Sequence, residues 1–207
     1  MFLPLTITPL SPGAFDGSVT GSDWGELRVW RVTASPLAAV RAPRHLRLSA
    51  CDDYLLAVHV SGTAVAAQDG REVTLGPGDF ALLDSARPYR VAFGGPGRFE
   101  HVIYQVPRAS LDARGQVRTA RRVPAASGAG RLVSPYLQTL ARPAPEPPAQ
   151  AFIDTGLDLA ASALRAAAGD AAAGDAPDGR RRQLIEGHQL RSLGPRAEAA
   201  PVPSRPR

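Results

Sequence analysis

Between Asp69 and Val91 the chain reads DGREVTLGPGDFALLDSARPYRV, two short extended runs punctuated by turn residues at close intervals. Asp69-Gly70 is a two-residue hairpin signal, because the tight turn between right-twisted strands needs positive φ, which glycine adopts without steric cost. Val73 and Leu75 alternate with Glu72 and Thr74, so one face can be buried and the other wetted. Gly76, Pro77, Gly78 and Asp79 then combine a fixed φ, two permissive glycines and a carboxylate able to cap its own turn. These four form a predicted structural turn, expected to join a pair of strands. On the next strand Phe80, Leu82 and Asp84 share one face and Ala81 and Leu83 the other. Pro88 ends that strand by withholding a backbone donor.

The same grammar runs through the first half of the chain. Residues 1–22 are rich in Pro, Gly, Ser and Thr; Leu3, Leu5 and Ile7 alternate and predict a short edge strand blunted by prolines. Residues 25–34 read as a strand with Leu27, Val29 and Arg31 on one face and Arg28, Trp30 and Val32 on the other. Residues 44–49 read as a second short strand, and Cys51-Asp52-Asp53 as a turn. Tyr54 to Val60, YLLAVHV, is the most apolar strand and is expected to be central. Thr63 to Ala67 should pair with Glu72 to Leu75 across Asp69-Gly70. Segments 80–83, 90–93 and 99–106 complete the set, with Gly94-Gly95-Pro96-Gly97 as the last hairpin loop. About eight or nine short strands at this spacing imply a barrel or a sandwich, and periodicity does not separate the two.

After Pro107 the period changes. In 128–141, Leu132, Tyr136 and Leu140 recur four apart with Val133 and Leu137 beside them, a helical face that Pro135 should kink or shorten. A Pro-rich break at 143–148 precedes an alanine-rich helix over 149–168, with Phe152, Leu157, Leu159, Ala163 and Leu164 on its apolar face and Gly169 as its stop. Two helices with so short a connection should pack antiparallel. Residues 169–179 read as a flexible linker, and the Pro- and Arg-rich stretch after Glu186 as disordered.

Charge sharpens this division. The net charge is +5, yet residues 1–179 hold 17 Arg against 17 Asp and Glu, and residues 180–207 hold 7 Arg against 2 Glu. A neutral body with a basic tail makes Arg180-Arg181-Arg182 the dense cationic cluster; it lacks interleaved aromatics, so weak phosphate contact or a solvated linker is all it supports. All 24 cationic residues are Arg, a pattern of biased base composition rather than of function. A single Cys51 rules out an internal disulfide and fits a reducing cytoplasm. The N-terminus lacks the early positive charge of a signal peptide, and no run approaches ~18 apolar residues, so no membrane span is expected.

The set Gln68-Asp69-Gly70-Arg71, Leu75-Gly76-Pro77-Gly78-Asp79, Leu83-Asp84 and Arg87-Pro88-Tyr89 resembles the turn region of cupin barrels. More narrowly, it is similar to the N-terminal sensing domain of AraC-type transcription regulators, the branch with an AraC-binding-like domain; the resemblance covers about residues 3–186. It implies a mainly β fold with appended α: a cupin-like antiparallel barrel at 1–107, a two-helix dimerisation segment at 108–169, and a linker and disordered tail at 170–207. It implies a small-molecule effector, a homodimer, no enzymatic activity and no cofactor. Leu132, Tyr136, Leu140, Phe152 and Leu157 are the expected dimer interface. The two helix-turn-helix units of such regulators have no counterpart after Glu186. DNA would then be reached only through a missing C-terminal domain or a partner, as in a truncated gene product or a sensor-only protein.

A barrel of this size can enclose one small ligand. His45, Tyr54, His59, Tyr89, Arg90, His101 and Tyr104 are the polar or aromatic candidates for its lining, with Trp24 or Trp30 as lids. An aromatic or sugar acid would suit the site if Arg90 faced inward. The rival reading is a small metal-dependent cupin isomerase or oxygenase. It needs clustered imidazoles and a carboxylate, whereas His45, His59, His101 and His188 show no His-x-His spacing. Asp52-Asp53 suits a solvated turn, Asp79 suits turn capping better than catalysis, and Cys51 has no base beside it in sequence.

Overall fold

The structure, a computed structural model, describes residues 3–49, 51–126 and 128–170. The predicted tail and Arg180-Arg181-Arg182 lie outside the described residues. The elements in order are β1 (Thr6–Pro9), β2 (Gly17–Trp24), β3 (Leu27–Ala34), β4 (Leu37–Arg41), α1 (Pro43–Leu46), β5 (Tyr54–Ser61), β6 (Thr63–Gln68), β7 (Arg71–Leu75), β8 (Phe80–Asp84), β9 (Tyr89–Gly94), β10 (Phe99–Val106), α2 (Arg108–Asp112), α3 (Gly130–Leu140) and α4 (Gln150–Asp170). The strands form two antiparallel five-stranded sheets, ordered β1-β4-β9-β6-β7 and β2-β3-β10-β5-β8. Their apolar inner faces meet in one shared core, giving the cupin-like barrel that the resemblance implied.

The β6–β7 hairpin forms as read: Gln68 pairs with Arg71, and Asp69 (φ 52) and Gly70 (φ 73) both take the positive φ of a type I′ turn. Two other turns have a different role. The Gly76–Asp79 turn joins β7 to β8, and these strands belong to different sheets, so it is a corner rather than a hairpin. Gly94–Gly97 likewise carries the chain from β9 in one sheet to β10 in the other. The segment read as a strand at 44–49 is instead the short helix α1. Pro43 sits in its first turn, where its fixed φ is preorganised and its missing N–H costs nothing. Strands β2 and β4 had no alternating apolar signal: β2 is an exposed edge, and β4 is LAAVR.

The second sheet is covered on both faces. One face lines the barrel with Leu55, Ala81, Leu83 and Ile103. The other packs Leu56, Val58, Phe80, Leu82, Val102 and Tyr104 against Leu137, Leu157, Ala160 and Leu164 of α3 and α4. Burial on both sides explains why YLLAVHV lacks alternation. This strand, β5, is fourth in its sheet, and β10 is the central one. Helix α3 continues through Pro135. At its first residue, Gly130, an added Cβ would lie 1.9 Å from the Pro124 carbonyl oxygen, so only glycine fits where the chain turns back on the barrel.

Candidate functional site

Strand parity sorts the seven candidate lining residues. His59, His101 and Tyr89 point into the barrel among Phe93, Phe99, Leu55 and Ile103. The other four do not. Tyr54 and Tyr104 lie on the opposite face of β5 and β10, in the layer beneath the helices. The Tyr54 hydroxyl donates to Asp112 Oδ1 (3.1 Å) with Arg108 stacked 4.3 Å above its ring, and Tyr104 donates to the Leu137 carbonyl. His45 sits in α1, where its Nδ1 accepts the Ala42 N–H (2.9 Å). Arg90 is exposed on the outside of β9 and pairs with Glu72 (2.9 Å), so the conditional reading of an acid-binding Arg90 does not apply. Of the two tryptophans, Trp30 belongs to the inner layer and donates to Gln105 Oε1 (3.0 Å). Trp24 lies outside, edge-on to Tyr104.

Between the sheets lies a cavity of about 90 Å³, open to the surface past the half-exposed Ile7 and Val19 and otherwise lined by Leu5, Val32, Leu37, Ala39, Leu55, Ala57, Leu83, Tyr89, Val91, Phe93, Phe99, His101 and Ile103. At one end His59 and His101 face each other with their Nδ1 atoms 3.4 Å apart, so one ring donates and the other accepts. Phe93 stacks on Phe99 (centroids 4.1 Å) and meets His101 edge-on (5.0 Å), which fixes the imidazole. Both rings are buried, and His59 Nε2 has no hydrogen-bond partner. Among the described residues no group of three or more His, Cys, Asp or Glu could hold a metal ion. A second hollow of about 360 Å³ lies on the outer face of β2 and β3 beside Pro143–Pro148; its Arg31 is held by Glu100 and the Ala141 carbonyl.

Burial, reinforced by the neighbouring His59, lowers His101 from 6.5 to about 3. Burial also lowers His59, against an upward pull from the Gly62 backbone and Asp79. Above the ordinary value of 6.5 neither the folded nor the unfolded chain protonates these rings, so they leave stability unchanged. As pH falls below that value, the unfolded chain takes up protons that the folded barrel refuses, and stability is lost down to about pH 3. His101 costs up to about 1.4 kcal/mol per pH unit in that window. Urea titrations at two pH values, one above neutrality and one near 5, check this. His101→Gln should shrink the stability difference by about 2 kcal/mol; an unchanged difference contradicts the assignment.

Two features tie the barrel together. Asp79 is buried in the corner turn: its Oδ2 accepts the Gly76 N–H (2.8 Å) and pairs with Arg122 (2.8 Å), and its Oδ1 accepts the Ala125 N–H (2.9 Å). The same turn exchanges two backbone bonds with His59, from His59 N–H to the Asp79 carbonyl and from Gly78 N–H to the His59 carbonyl. On its other side the Gly78 carbonyl accepts the Ser134 hydroxyl of α3 (2.6 Å). The turn therefore bridges a buried histidine, the partner of His101, and a helix. Arg41, the last residue of β4, is fully buried. Its guanidinium donates to the carbonyls of Ser85 (2.7 Å), Pro4 (3.1 Å) and Ser49 (3.5 Å). No acidic side chain pairs with it among the described residues. Sequence reading missed Arg41 because its partners come from three distant segments and no local pattern marks it.

The helical candidates divide as well. Leu132 (77% exposed) and Phe152 (59%) stand free on the surface. Tyr136 and Leu140 are half-buried and close over Gly156 of α4, and the Tyr136 hydroxyl donates to the Phe152 carbonyl. Leu157 is buried against the barrel and is not surface. Leu159, 37% exposed, follows Phe152 by two helical turns and extends the free face.

Comparison with known proteins places this geometry. The family model of the AraC-binding-like domain matches residues 1–165. An uncharacterised protein in the nit 5′ region of Bacillus sp. (strain OxB-1) is 34% identical over 147 residues, 68% of this chain and 55% of that protein. The transcriptional activator NphR of Rhodococcus sp. is 32% identical over 158 residues, 72% of this chain and 47% of that protein. The chain thus spans about half the length of the curated relatives it matches. The AraC-like transcriptional activator CuxR shares the fold, with a TM-score of 0.67 at 17% identity over 86% of this chain and 65% of that one.

Proposed function

This chain belongs to the AraC-binding-like domain family, and on that premise we propose that it is the effector-binding and dimerisation module of an AraC-type transcription regulator. The observation that carries the reading is the apolar cavity between the sheets that ends at His101, whose ring faces the buried His59, which the Gly76–Asp79 corner connects to α3. A small molecule filling the cavity would favour one setting of that corner, and helix α3 would carry the difference outward. Residues 1–107 would form the sensing barrel and 108–169 the helical segment. DNA contact would come from sequence beyond the matched residues or from a partner chain.

The second copy would dock on the free face of α3 and α4, where Leu132, Phe152 and Leu159 remain exposed. Exposed large apolar side chains at helical spacing are the ordinary mark of an association surface. Sedimentation velocity tests this. The intact chain should run as a dimer, and Leu132→Glu with Phe152→Glu should give a monomer that still melts cooperatively, since both side chains lie outside the core. A monomeric intact chain, or a double variant that still dimerises, contradicts the assignment. Among the described residues no helix is long and apolar enough to cross a membrane.

A further inference from the structure

We propose that the molecule this barrel takes is small, uncharged and mostly apolar, no larger than a single ring, and that it offers one hydrogen-bonding group to His101, whose ring is paired with His59; the proposal rests on the reading of the barrel as an effector site. Size comes first. The cavity measures about 90 Å³ and opens past the half-exposed Ile7 and Val19, whereas a closed apolar cavity of about 150 Å³ takes one benzene ring. A short branched aliphatic therefore fits inside, and a single substituted benzene ring fits with part of it at the mouth. A disaccharide or a nucleotide does not fit.

Charge comes second. The lining contains no cationic or anionic side chain. Arg90 is outside the barrel on Glu72, and Arg41 is absent from the lining, its guanidinium given to three backbone carbonyls. A carboxylate entering this space would lose its hydration with no counter-charge to meet it. A sugar would bury several hydroxyls where only His101 and Tyr89 are polar.

The polar contact comes third. Because the two Nδ1 atoms share one proton, the two Nε2 atoms have opposite character, one a donor and one an acceptor. In the alternative arrangement both rings change tautomer together, the Nδ1 proton passing to the other ring and the Nε2 proton passing back, so the pair stays neutral and can meet an alcohol or a carbonyl. His59 Nε2 is buried without a partner, and Phe93, itself stacked on Phe99, meets the His101 ring edge-on and holds it in place. Access is through the seam where the sheets part. β1 and β2 are edge strands of different sheets. Ile7 and Val19 from these strands line the cavity and are 51% and 53% exposed.

The test uses the intact chain with benzyl alcohol, benzoate and arabinose as probes, read by calorimetry and by the imidazole nitrogen shifts of His101. Benzyl alcohol should bind saturably at one site per chain and move the His101 nitrogens. Benzoate should bind at least about a hundredfold more weakly, and arabinose not at all. His101→Leu should weaken benzyl alcohol by about five- to tenfold. Ala39→Leu, which grows into the cavity, should abolish binding while the chain still melts cooperatively, and it serves if His101→Leu does not fold. Binding of benzoate or arabinose as tight as benzyl alcohol overturns the proposed class while leaving an effector site in place. Failure of benzyl alcohol to bind, or binding indifferent to both substitutions, overturns the proposal itself.

Discussion

Arg41→Met is expected to lower the stability of the chain by about 2–4 kcal/mol, the largest loss from any single polar side chain in the barrel. Two terms oppose each other. Removing a buried charge that has no acidic partner relieves a desolvation cost. Against that, the carbonyls of Pro4, Ser85 and Ser49 lose the donor that ties them together, and each buried acceptor left unmade costs about 1–3 kcal/mol. The second term is larger because three acceptors depend on one guanidinium. Arg41→Lys keeps the charge but cannot reach three carbonyls with a single ammonium, so it should lose nearly as much. Urea midpoints at neutral pH measure both variants. A methionine variant as stable as the parent would show that the carbonyls find water, and that Arg41 is not the clasp it looks to be.

Asp79→Ala should cost about 3 kcal/mol and should loosen α3 more than the barrel. The substitution leaves the N–H groups of Gly76 and Ala125 without their acceptor and frees Arg122. Ala125 lies in the segment leading to α3, and Ser134 of α3 bonds the neighbouring Gly78 carbonyl. The corner is thus the joint between barrel and helix. Hydrogen exchange should show faster exchange at Ala125 and through α3, with β5 and β10 largely protected. Equal loss of protection everywhere would mean that Asp79 supports the fold without serving as a joint.

Turn chemistry was the most readable part of the sequence. Asp69-Gly70 and Gly76-Pro77-Gly78-Asp79 name their backbone conformations through residues that few other conformations want. What they could not tell was which strands they join: a hairpin and a corner between sheets use the same residues, and only pairing decides. Facing was the harder problem. On a sheet with one wet face, alternation reveals the inside. Here α3 and α4 cover the outer face of the second sheet, so Leu56 and Leu55 look alike in sequence yet face opposite layers. Composition therefore groups Tyr54 and Tyr104 with His59 and His101, although their strand positions differ by an odd number of residues and must point oppositely. Arg90 and Arg41 illustrate the same limit in charge: the one that looked like a ligand handle is solvent-facing, and the one inside was passed over.

The central claim is that this barrel senses a small molecule and holds no catalytic metal. A thermal-shift screen of the intact chain against neutral, anionic and sugar compounds, with metal content measured on the same sample, tests it most directly. The expected result is a cooperative melt, raised saturably by neutral apolar compounds that fit the cavity, because a ligand that prefers the folded state adds to its stability. No stoichiometric iron, manganese or zinc is expected. Stoichiometric metal whose chelation abolishes a measurable turnover, with no compound class raising the melt, would contradict it and leave a cupin enzyme in its place.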